Sequence, residues 1–271
     1  MKKPQKKVRV LYKCAFSYLL PESPVFRDNT IYWVDIEMGS IFHSDERLEK
    51  TKCLGKLNDV SALFFCKSRL YAVNKEGIFR IESDELCQNP DFVLDIPEHY
   101  RTNECSLSES GILCVSFMHK ENQDKNKGGV IIFQCNSRKV INQIPSIGIP
   151  NTLLWLNKET FFMVDSLSSK YYKVEAGSNW HIEEVEVDST RFSTATPGVP
   201  DGSTIMPNGN ILNARYGGWS LWEFTPKLEL LNVHNTPWEN PTSVAHLNGS
   251  KYVVTYAKSK YGLGGVAVIE L

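Results

Sequence analysis

The chain has 271 residues, a formal net charge of −1 and 42% hydrophobic residues. This length is enough to bury a sizeable core within one large domain, which we expect to span residues 1–271. The balanced charge excludes a global field that would attract nucleic acid or anionic lipid, and no apolar run approaches the ~20 residues that a membrane span needs. We therefore expect neither nucleic acid nor a membrane as a partner.

The N-terminal stretch MKKPQKKVRVLYK is basic, but Lys13 interrupts its apolar residues, so it predicts a solvated start followed by a first strand over 7–13. The seven cysteines are odd in number and no two lie closer than nine residues. This spacing indicates neither a Cys-x-x-Cys metal pair nor a disulfide framework. Reduced thiols are typical of a cytoplasmic protein, which is the location we expect.

Short apolar and aromatic runs then recur in pairs, each pair separated by a polar or glycine-containing turn. The six pairs lie at 31–45, 70–84, 111–135, 161–175, 210–226 and 251–271. Their starts are 39, 41, 50, 49 and 41 residues apart, and another short strand precedes each pair. Asp35, Asn74 and Asp165 directly follow the first run of their pairs. No window shows a convincing helical period.

A period of ~45 residues with three to four strands is typical of a propeller blade. The sequence therefore predicts an all-β, six-bladed β-propeller. Since the last hairpin ends at Leu271 and strand 7–13 has no partner nearby, we expect the N-terminal strand to complete the last blade and close the ring. The alternative is a β-sandwich with long loops, although sandwiches have strands every ~8–12 residues and no longer period.

A polar residue precedes the first strand of each predicted blade. These residues are Glu22, Asp59, Asn103, Asn151, Asp201 and Thr242. Equivalent positions at the start of an innermost strand lie beside the axis of a propeller, so Glu22, Asn103, Asn151 and Asp201 should converge at one mouth of the channel. Such residues can also do no more than cap turns, and Asp59 and Thr242 share the position without an evident chemical role.

Two carboxylates that converge in a partly closed mouth need a cation, a proton or a basic partner. Together with an amide oxygen, they form a set of hard oxygen donors that suits a divalent cation. No histidine or cysteine stands at the equivalent positions. The sequence thus predicts one divalent cation, with Ca²⁺ as first choice and Zn²⁺, Mn²⁺ or Mg²⁺ as alternatives.

Several segments resemble the gluconolactonase/regucalcin family, also called the senescence marker protein family. They are PESPVF with IYWVDIEMGSIF, RTNECSLSESGILCVSFM, IPNTLLWLNKETFFMVDSLSSKYYKV, VPDGSTIMPNGNILNARYGG and PTSVAHLNGSKYVVTYA. The similarity covers nearly the whole chain in order. It implies a six-bladed propeller whose activity is the hydrolysis of sugar or related lactones.

The resemblance also implies roles for individual residues. Glu22, Asn151 and Asp201 would bind one divalent cation. Arg101 and Asn103 would hold the hydroxyl groups of a sugar-like lactone, and Glu121 falls where the family has a further acid that contacts the substrate. In the mechanism that we expect, Asp201 is the catalytic residue, serving both as metal ligand and as general base.

The sequence departs from the family pattern beside these residues. The family has Asn-Asp where this chain has Asn103-Glu104, and it has glycines where this chain has Pro21, Ser23 and Thr152. These changes affect the neighbours of the implied ligands rather than the ligands themselves.

Two further expectations concern loops and partners. The polar run 121–129 is long enough to fold over the mouth as a lid, or is only a solvated hairpin loop, and His119 lies near Glu121. We expect a monomer or weak dimer that binds a small sugar lactone or related ester. The competing hypothesis is a non-catalytic, calcium-binding scaffold propeller.

Overall fold

A computed structural model of the chain describes residues 5–122, 124, 127–177, 180–190, 192 and 197–271. Within these ranges the chain forms no helix and is built from 26 strands in six sheets. In this part of the chain, accordingly, no helix is long and apolar enough to cross a membrane.

Each sheet is one blade of a β-propeller. Blades 1 to 4 follow the chain from the axis outward, and blades 5 and 6 each add a strand from the N-terminal segment at the outer edge. Blade 1 contains β3 (Pro21–Arg27), β4 (Thr30–Asp35), β5 (Ser40–Asp45) and β6 (Lys52–Lys56). Blade 2 contains β7 (Ala62–Cys66), β8 (Arg69–Val73), β9 (Gly77–Glu82), β10 (Glu85–Leu86) and β11 (Phe92–Val93). Blade 3 contains β12 (Tyr100–Leu107), β13 (Ile112–His119), β14 (Gly128–Gln134) and β15 (Lys139–Ile147).

The second half of the ring repeats this order. Blade 4 contains β16 (Pro150–Trp155), β17 (Thr160–Asp165), β18 (Lys170–Glu175) and β19 (His181–Val185). Blade 5 contains β20 (Val199–Ile205), β21 (Ile211–Tyr216), β22 (Ser220–Phe224), β23 (Leu230–Asn235) and, at its outer edge, β1 (Lys6–Lys7). Blade 6 contains β24 (Pro241–Asn248), β25 (Lys251–Tyr256), β26 (Gly265–Glu270) and β2 (Arg9–Lys13).

The predicted six-bladed propeller is therefore confirmed, and so is its closure by the N-terminal strand. Strand β2 pairs antiparallel with β26, with Arg9 opposite Glu270 and Lys13 opposite Ala267. One pairing was not predicted: β1 runs parallel to β23, with Lys6 opposite His234. The N-terminal segment thus extends two blades rather than one.

The six innermost strands, β3, β7, β12, β16, β20 and β24, surround the axis, and each contacts the next in turn around a closed circle. Buried apolar residues form six clusters, one in each seam between neighbouring blades. Trp33, for example, is fully buried in the seam between blades 6 and 1. Since each blade covers its faces with its two neighbours, the core is a ring of seams around a polar axis.

Candidate functional site

In five of the six blades, the start of the innermost strand is irregular at the position predicted to face the axis. The pairing of β3 with β4 shifts between Glu22 and Val25, and that of β12 with β13 shifts between Thr102 and Cys105. Corresponding shifts occur in blades 4, 5 and 6. Such bulges redirect a side chain locally. Strand β7 pairs with β8 without a shift, so blade 2 has no such bulge.

The loops that lead into these bulges are held by acidic side chains of the next strand in the same blade. Asp35 accepts hydrogen bonds from the backbone N–H groups of Leu19 (2.7 Å) and Leu20 (3.3 Å), directly before Pro21 and Glu22. Asp165 likewise accepts one from the N–H of Ile149 (2.8 Å), before Pro150 and Asn151. The acids that follow the first predicted runs therefore fix the approach to the axis.

The proline before each predicted metal ligand is anchored by the preceding blade. The carbonyl of Pro21 accepts a hydrogen bond from the Thr242 hydroxyl (2.6 Å). The carbonyl of Pro150 accepts from Asn103 Nδ2 (3.1 Å) and Ser116 Oγ (2.9 Å). The carbonyl of Pro200 accepts from Ser166 Oγ (2.6 Å). Glu22, Asn151 and Asp201 therefore each follow a backbone group that is fixed across a seam.

Four charged side chains interact at the axis, and we refer to Glu22, Arg101, Glu104 and Asp201 as the central charge cluster. Burial and the neighbouring Glu104 raise the pKa of Glu22 to about 8, against the weaker effects of the Ser23 N–H and Arg101. Burial raises the pKa of Glu104 to about 7. Burial, Glu22 and Glu104 raise the pKa of Asp201 well above its usual range. Three carboxyl groups thus repel one another at the axis, and Arg101 offsets the charge of Glu22 and Asp201.

Asp201 is the most enclosed of the three acids. Its side chain is 6% exposed, and among the described residues none forms a hydrogen bond with its buried Oδ1. Its backbone carbonyl, in contrast, accepts hydrogen bonds from Thr152 Oγ1 and from Asn213 Nδ2 (2.7 Å for the latter). A buried carboxylate oxygen without a donor is costly unless a proton or a cation satisfies it.

An amide chain connects the cluster to the remaining predicted residues. Arg101 Nη1 donates to Asn103 Oδ1 (2.7 Å), and Asn103 Nδ2 donates to Asn151 Oδ1 (2.7 Å). Asn151 Nδ2 in turn donates to Ser166 Oγ (2.9 Å). This direction of donation leaves the second lone pair of Asn151 Oδ1 for another partner.

The structure thus brings Glu22, Arg101, Asn103, Asn151 and Asp201 together through electrostatic contacts and hydrogen bonds. It does not join Glu121 to them within the part described: this residue is exposed, and its backbone N–H donates to His119 Nδ1 (3.2 Å). The suggested lid over 121–129 includes residues 123, 125 and 126, which lie outside the described residues.

Two residues of the site were not predicted from the sequence. Glu104 was noted only as a departure from the family pattern, yet it belongs to the central charge cluster and faces an axial channel of about 340 Å³. Arg215 is 3% exposed and donates to the carbonyls of Pro197 (3.0 Å) and Gly198 (2.8 Å), just before Asp201. No sequence pattern indicates the bulge that turns Glu104 inward. Arg215, in contrast, lies in the segment NARYGG, which was already noted for its resemblance to the family.

Asp59 and Thr242, which share the register of the site, have other roles. Asp59 forms an ion pair with Lys120 (2.5 Å), and its charge also acts on Arg101. Thr242 closes the seam between blades 6 and 1 through Pro21. Their positions follow from the repeat, and their contacts are with neighbouring loops and blades.

The donor set at the axis fits a hard cation only if the amide is included. In the ranges described, no group of three or more histidine, cysteine, aspartate or glutamate side chains is arranged to hold a metal ion. An ion bound here would therefore need Asn151 Oδ1 beside the carboxylates of Glu22 and Asp201. The unpartnered Oδ1 of Asp201 and the mutual repulsion of the acids are consistent with such an ion.

Comparisons with known proteins agree with this architecture. Residues 20–257 match the model of the SMP-30/gluconolactonase/LRE-like region. A pentonolactonase of Haloferax volcanii is 24% identical over 236 residues, which cover 83% of this chain and 77% of the relative. An uncharacterised protein of Sulfolobus acidocaldarius is 26% identical over 233 residues, covering 83% of this chain and 82% of that protein.

Solved structures show the same fold. A calcium-binding regucalcin from Agrobacterium tumefaciens superposes with a TM-score of 0.80 at 20% identity, over 98% of this chain and 97% of that one. A gluconolactonase from Xanthomonas campestris superposes with a TM-score of 0.70 at 12% identity, over 100% and 98%.

Proposed function

The chain belongs to the SMP-30/gluconolactonase/LRE-like family, and on that premise we propose that it opens a sugar-type lactone by hydrolysis at the mouth of the propeller. One observation carries the location: Glu22, Glu104 and Asp201 interact at the axis, and Oδ1 of Asp201 is buried without a donor among the described residues. Enclosed acids with raised pKa values are typical of catalytic sites. The pentonolactonase and gluconolactonase among its relatives indicate the substrate class.

The proposal includes one divalent cation held by Glu22, Asn151 and Asp201. A bound divalent cation polarises a carbonyl oxygen and acidifies water, which is the chemistry that lactone hydrolysis needs. These residues offer two carboxylates and an amide oxygen, and a positive ion would offset the repulsion that raises the pKa values of Glu22 and Asp201. Ca²⁺ is our first choice for this oxygen-only set.

The protein residues then bind the substrate and accept the proton. Arg101 and Asn103 present nitrogen donors to the ring hydroxyl groups, and their mutual hydrogen bond (2.7 Å) keeps both side chains oriented. The Asp201 carboxylate accepts the proton from the attacking water and keeps its position because its backbone carbonyl is held by Thr152 and Asn213. Glu121 remains a proposed substrate contact on an exposed loop.

The test measures acid release from glucono-1,5-lactone, a pentono-1,4-lactone and an aryl ester with a pH indicator. The protein is stripped with a chelator and resupplied with Ca²⁺, Mg²⁺, Mn²⁺ or Zn²⁺. We expect lactone opening that the chelator abolishes and a cation restores.

Asp201→Asn should lower kcat at least ~100-fold, because the base is lost and the amide oxygen that replaces the carboxylate is an uncharged, weaker ligand. Asp84→Asn is the matched control, from an exposed turn of blade 2, and should stay within a few-fold of the parent.

Two results would contradict the proposal. Undiminished turnover in Asp201→Asn would remove this residue from the chemistry, and chelator-resistant turnover would remove the cation. If a cation raises the melting temperature while no lactone or ester is hydrolysed, the protein is instead a calcium-binding scaffold.

A further inference from the structure

A second cavity lies between blades 2 and 3, at the opposite end of the innermost strand from the mouth. It has a volume of about 410 Å³ and is bordered by the turn after β7 and the turn after β14. Strand β7 begins near Asp59 on the side of the mouth and ends at Cys66, so these turns belong to the other face. The cavity is large enough to enclose most of a small organic molecule.

The floor of this cavity is aromatic and already ordered. Phe64 and Tyr71 stack with ring centres 5.3 Å apart, and Phe92 meets Phe133 edge-to-face at 5.9 Å. Phe64 and Phe133 are 7% and 4% exposed and belong to the apolar cluster in this seam. A flat or apolar ligand body would therefore find a preformed surface that costs little entropy to organise.

The rim is cationic and largely without partners. Lys67, Arg69 and Arg138 border the cavity, and all three are exposed. Within the described part of the chain none of them forms an ion pair, and the Arg138 guanidinium lies 6.0 Å from the Phe92 ring centre. The acidic residue of the cavity, Asp91, is paired with Arg80 (3.5 Å). The rim therefore carries an uncompensated positive charge beside an aromatic floor.

We propose that this cavity, which we call the blade 2–3 pocket, binds a small organic anion that combines an aromatic or ring-shaped apolar body with a carboxylate or sulfonate group. The apolar body packs against Phe64, Tyr71, Phe92 and Phe133. The anionic group pairs with Arg69 and Arg138, whose guanidinium groups match the planar geometry of a carboxylate. This site is distinct from the mouth and requires no lactone chemistry.

Two thiols provide an internal reporter of occupancy. Cys66 and Cys135 both border the pocket, one from each blade. Burial raises the pKa of Cys135, and the nearby Cys66 adds to this effect, so the two thiols lie close together. A ligand that fills the pocket should cover both thiols. The exposed Cys53 lies outside the pocket and should be unaffected.

The experiment titrates the full chain with 8-anilinonaphthalene-1-sulfonate and, as an uncharged probe with the same body, N-phenyl-1-naphthylamine. We expect saturable fluorescence for the anion and weaker binding of the neutral probe. The double variant Arg69→Gln/Arg138→Gln should bind the anion about tenfold more weakly or worse, since two charge-assisted contacts are lost. The matched control Arg47→Gln, an exposed arginine of blade 1, should bind like the parent.

Labelling with N-ethylmaleimide, followed by peptide mass mapping, locates the bound probe. Saturating anilinonaphthalene sulfonate should slow modification of Cys66 and Cys135 and leave the rate at Cys53 unchanged. Equal affinity of the double variant and the parent, or equal modification rates with and without the probe, would overturn the proposal. Lactone turnover of the double variant should match the parent, so the outcome at this pocket is independent of the outcome at the mouth.

Discussion

At the scale of single residues, the site depends on backbone conformations that its side chains disfavour. Ser23 and Thr152 directly follow the proposed ligands Glu22 and Asn151, and their φ angles are 48° and 47°. The family pattern that the sequence resembles would place glycine at both positions, and glycine adopts such angles without a steric penalty. Thr152 is a β-branched residue with positive φ, which is a strained combination. Its hydroxyl offsets the strain by bonding to the Asp201 carbonyl and to Ser203 (2.8 Å).

Two substitutions of Thr152 separate these effects. Thr152→Ser keeps the hydroxyl and removes the branch, so we expect a small gain of about 0.5 kcal/mol in the free energy of unfolding. Thr152→Val keeps the branch and removes the hydroxyl, so we expect a loss of about 1–2 kcal/mol. Urea unfolding of both variants measures the difference. If Val and Ser behave alike, the hydroxyl does not offset the strain.

At the scale of elements, the packing of neighbouring innermost strands determines how closely the site residues approach. Gly202 follows Asp201 in β20, and a Cβ at this position would lie 2.6 Å from Ser243 Cβ and 2.9 Å from Ser243 Cα in β24. The contact involves backbone atoms, which cannot move aside cheaply. A glycine is therefore required where blades 5 and 6 meet at the axis.

Gly202→Ala should push β20 away from β24, and we expect it to lower the free energy of unfolding by about 1–3 kcal/mol. It should also lower lactone turnover because Asp201 is the adjacent residue. Gly262→Ala is the control, since a Cβ there meets nothing within 4 Å. Thermal melting and turnover of the two variants test this. Equal melting temperatures and turnover would show that β20 and β24 can move apart at little cost.

The outer strands of blade 5 contain a buried carboxylate, and both of its oxygens have hydrogen-bond partners. Glu223 is 7% exposed and contacts His234 Nε2 (3.0 Å) while accepting from Asn232 Nδ2 (2.7 Å) and Asn210 Nδ2 (2.7 Å). The His234 contact, followed by those of the two asparagines, lowers the pKa of Glu223 to about 2 despite burial.

This shift makes the stability of blade 5 dependent on pH. The pKa of Glu223 is lower in the folded state than its ordinary value of 4.5, so its contribution is complete above about pH 4.5 and disappears as the pH falls towards 2. Glu223→Gln should therefore be less stable than the parent at pH 7, and the difference should shrink towards pH 2. Urea midpoints across this range test the expectation, and a difference that is independent of pH would contradict it.

Local pattern was sufficient to predict the strands and their order, because each blade repeats the same pair of apolar runs. It could not predict β1, since Lys6 and Lys7 are exposed and polar and pair only because β23 presents a free edge. The repeat also predicted that Glu22, Asn151 and Asp201 occupy equivalent positions in their blades. The repeat could not show that Glu104 joins the central charge cluster, because its side-chain direction depends on a bulge in β12.

At the scale of the whole molecule, the ring is closed by its first and last strands. Strand β2 covers the edge of β26, whose Val268 and Ile269 are fully buried. On the other side of the same blade, Thr242 bonds to Pro21 of blade 1. Stability therefore depends on contacts between residues that are far apart in the sequence.

Deleting residues 1–13 should open the edge of β26, lower the melting temperature by several degrees and promote self-association. Deleting residues 1–7 removes β1 but leaves β2 in place, so its effect should be small. Calorimetry and light scattering of the two truncated proteins provide the comparison. Similar melting temperatures for the parent and the longer deletion would mean that β2 is dispensable.

The pairing of β2 with β26 also has a consequence for biosynthesis. Residues 9–13 leave the ribosome before the five other blades are translated, whereas their partners at 265–270 follow only after those blades. Until then the nascent protein is an open arc with an unpaired strand at its start, and chaperones that shield exposed strands would act on it during this interval.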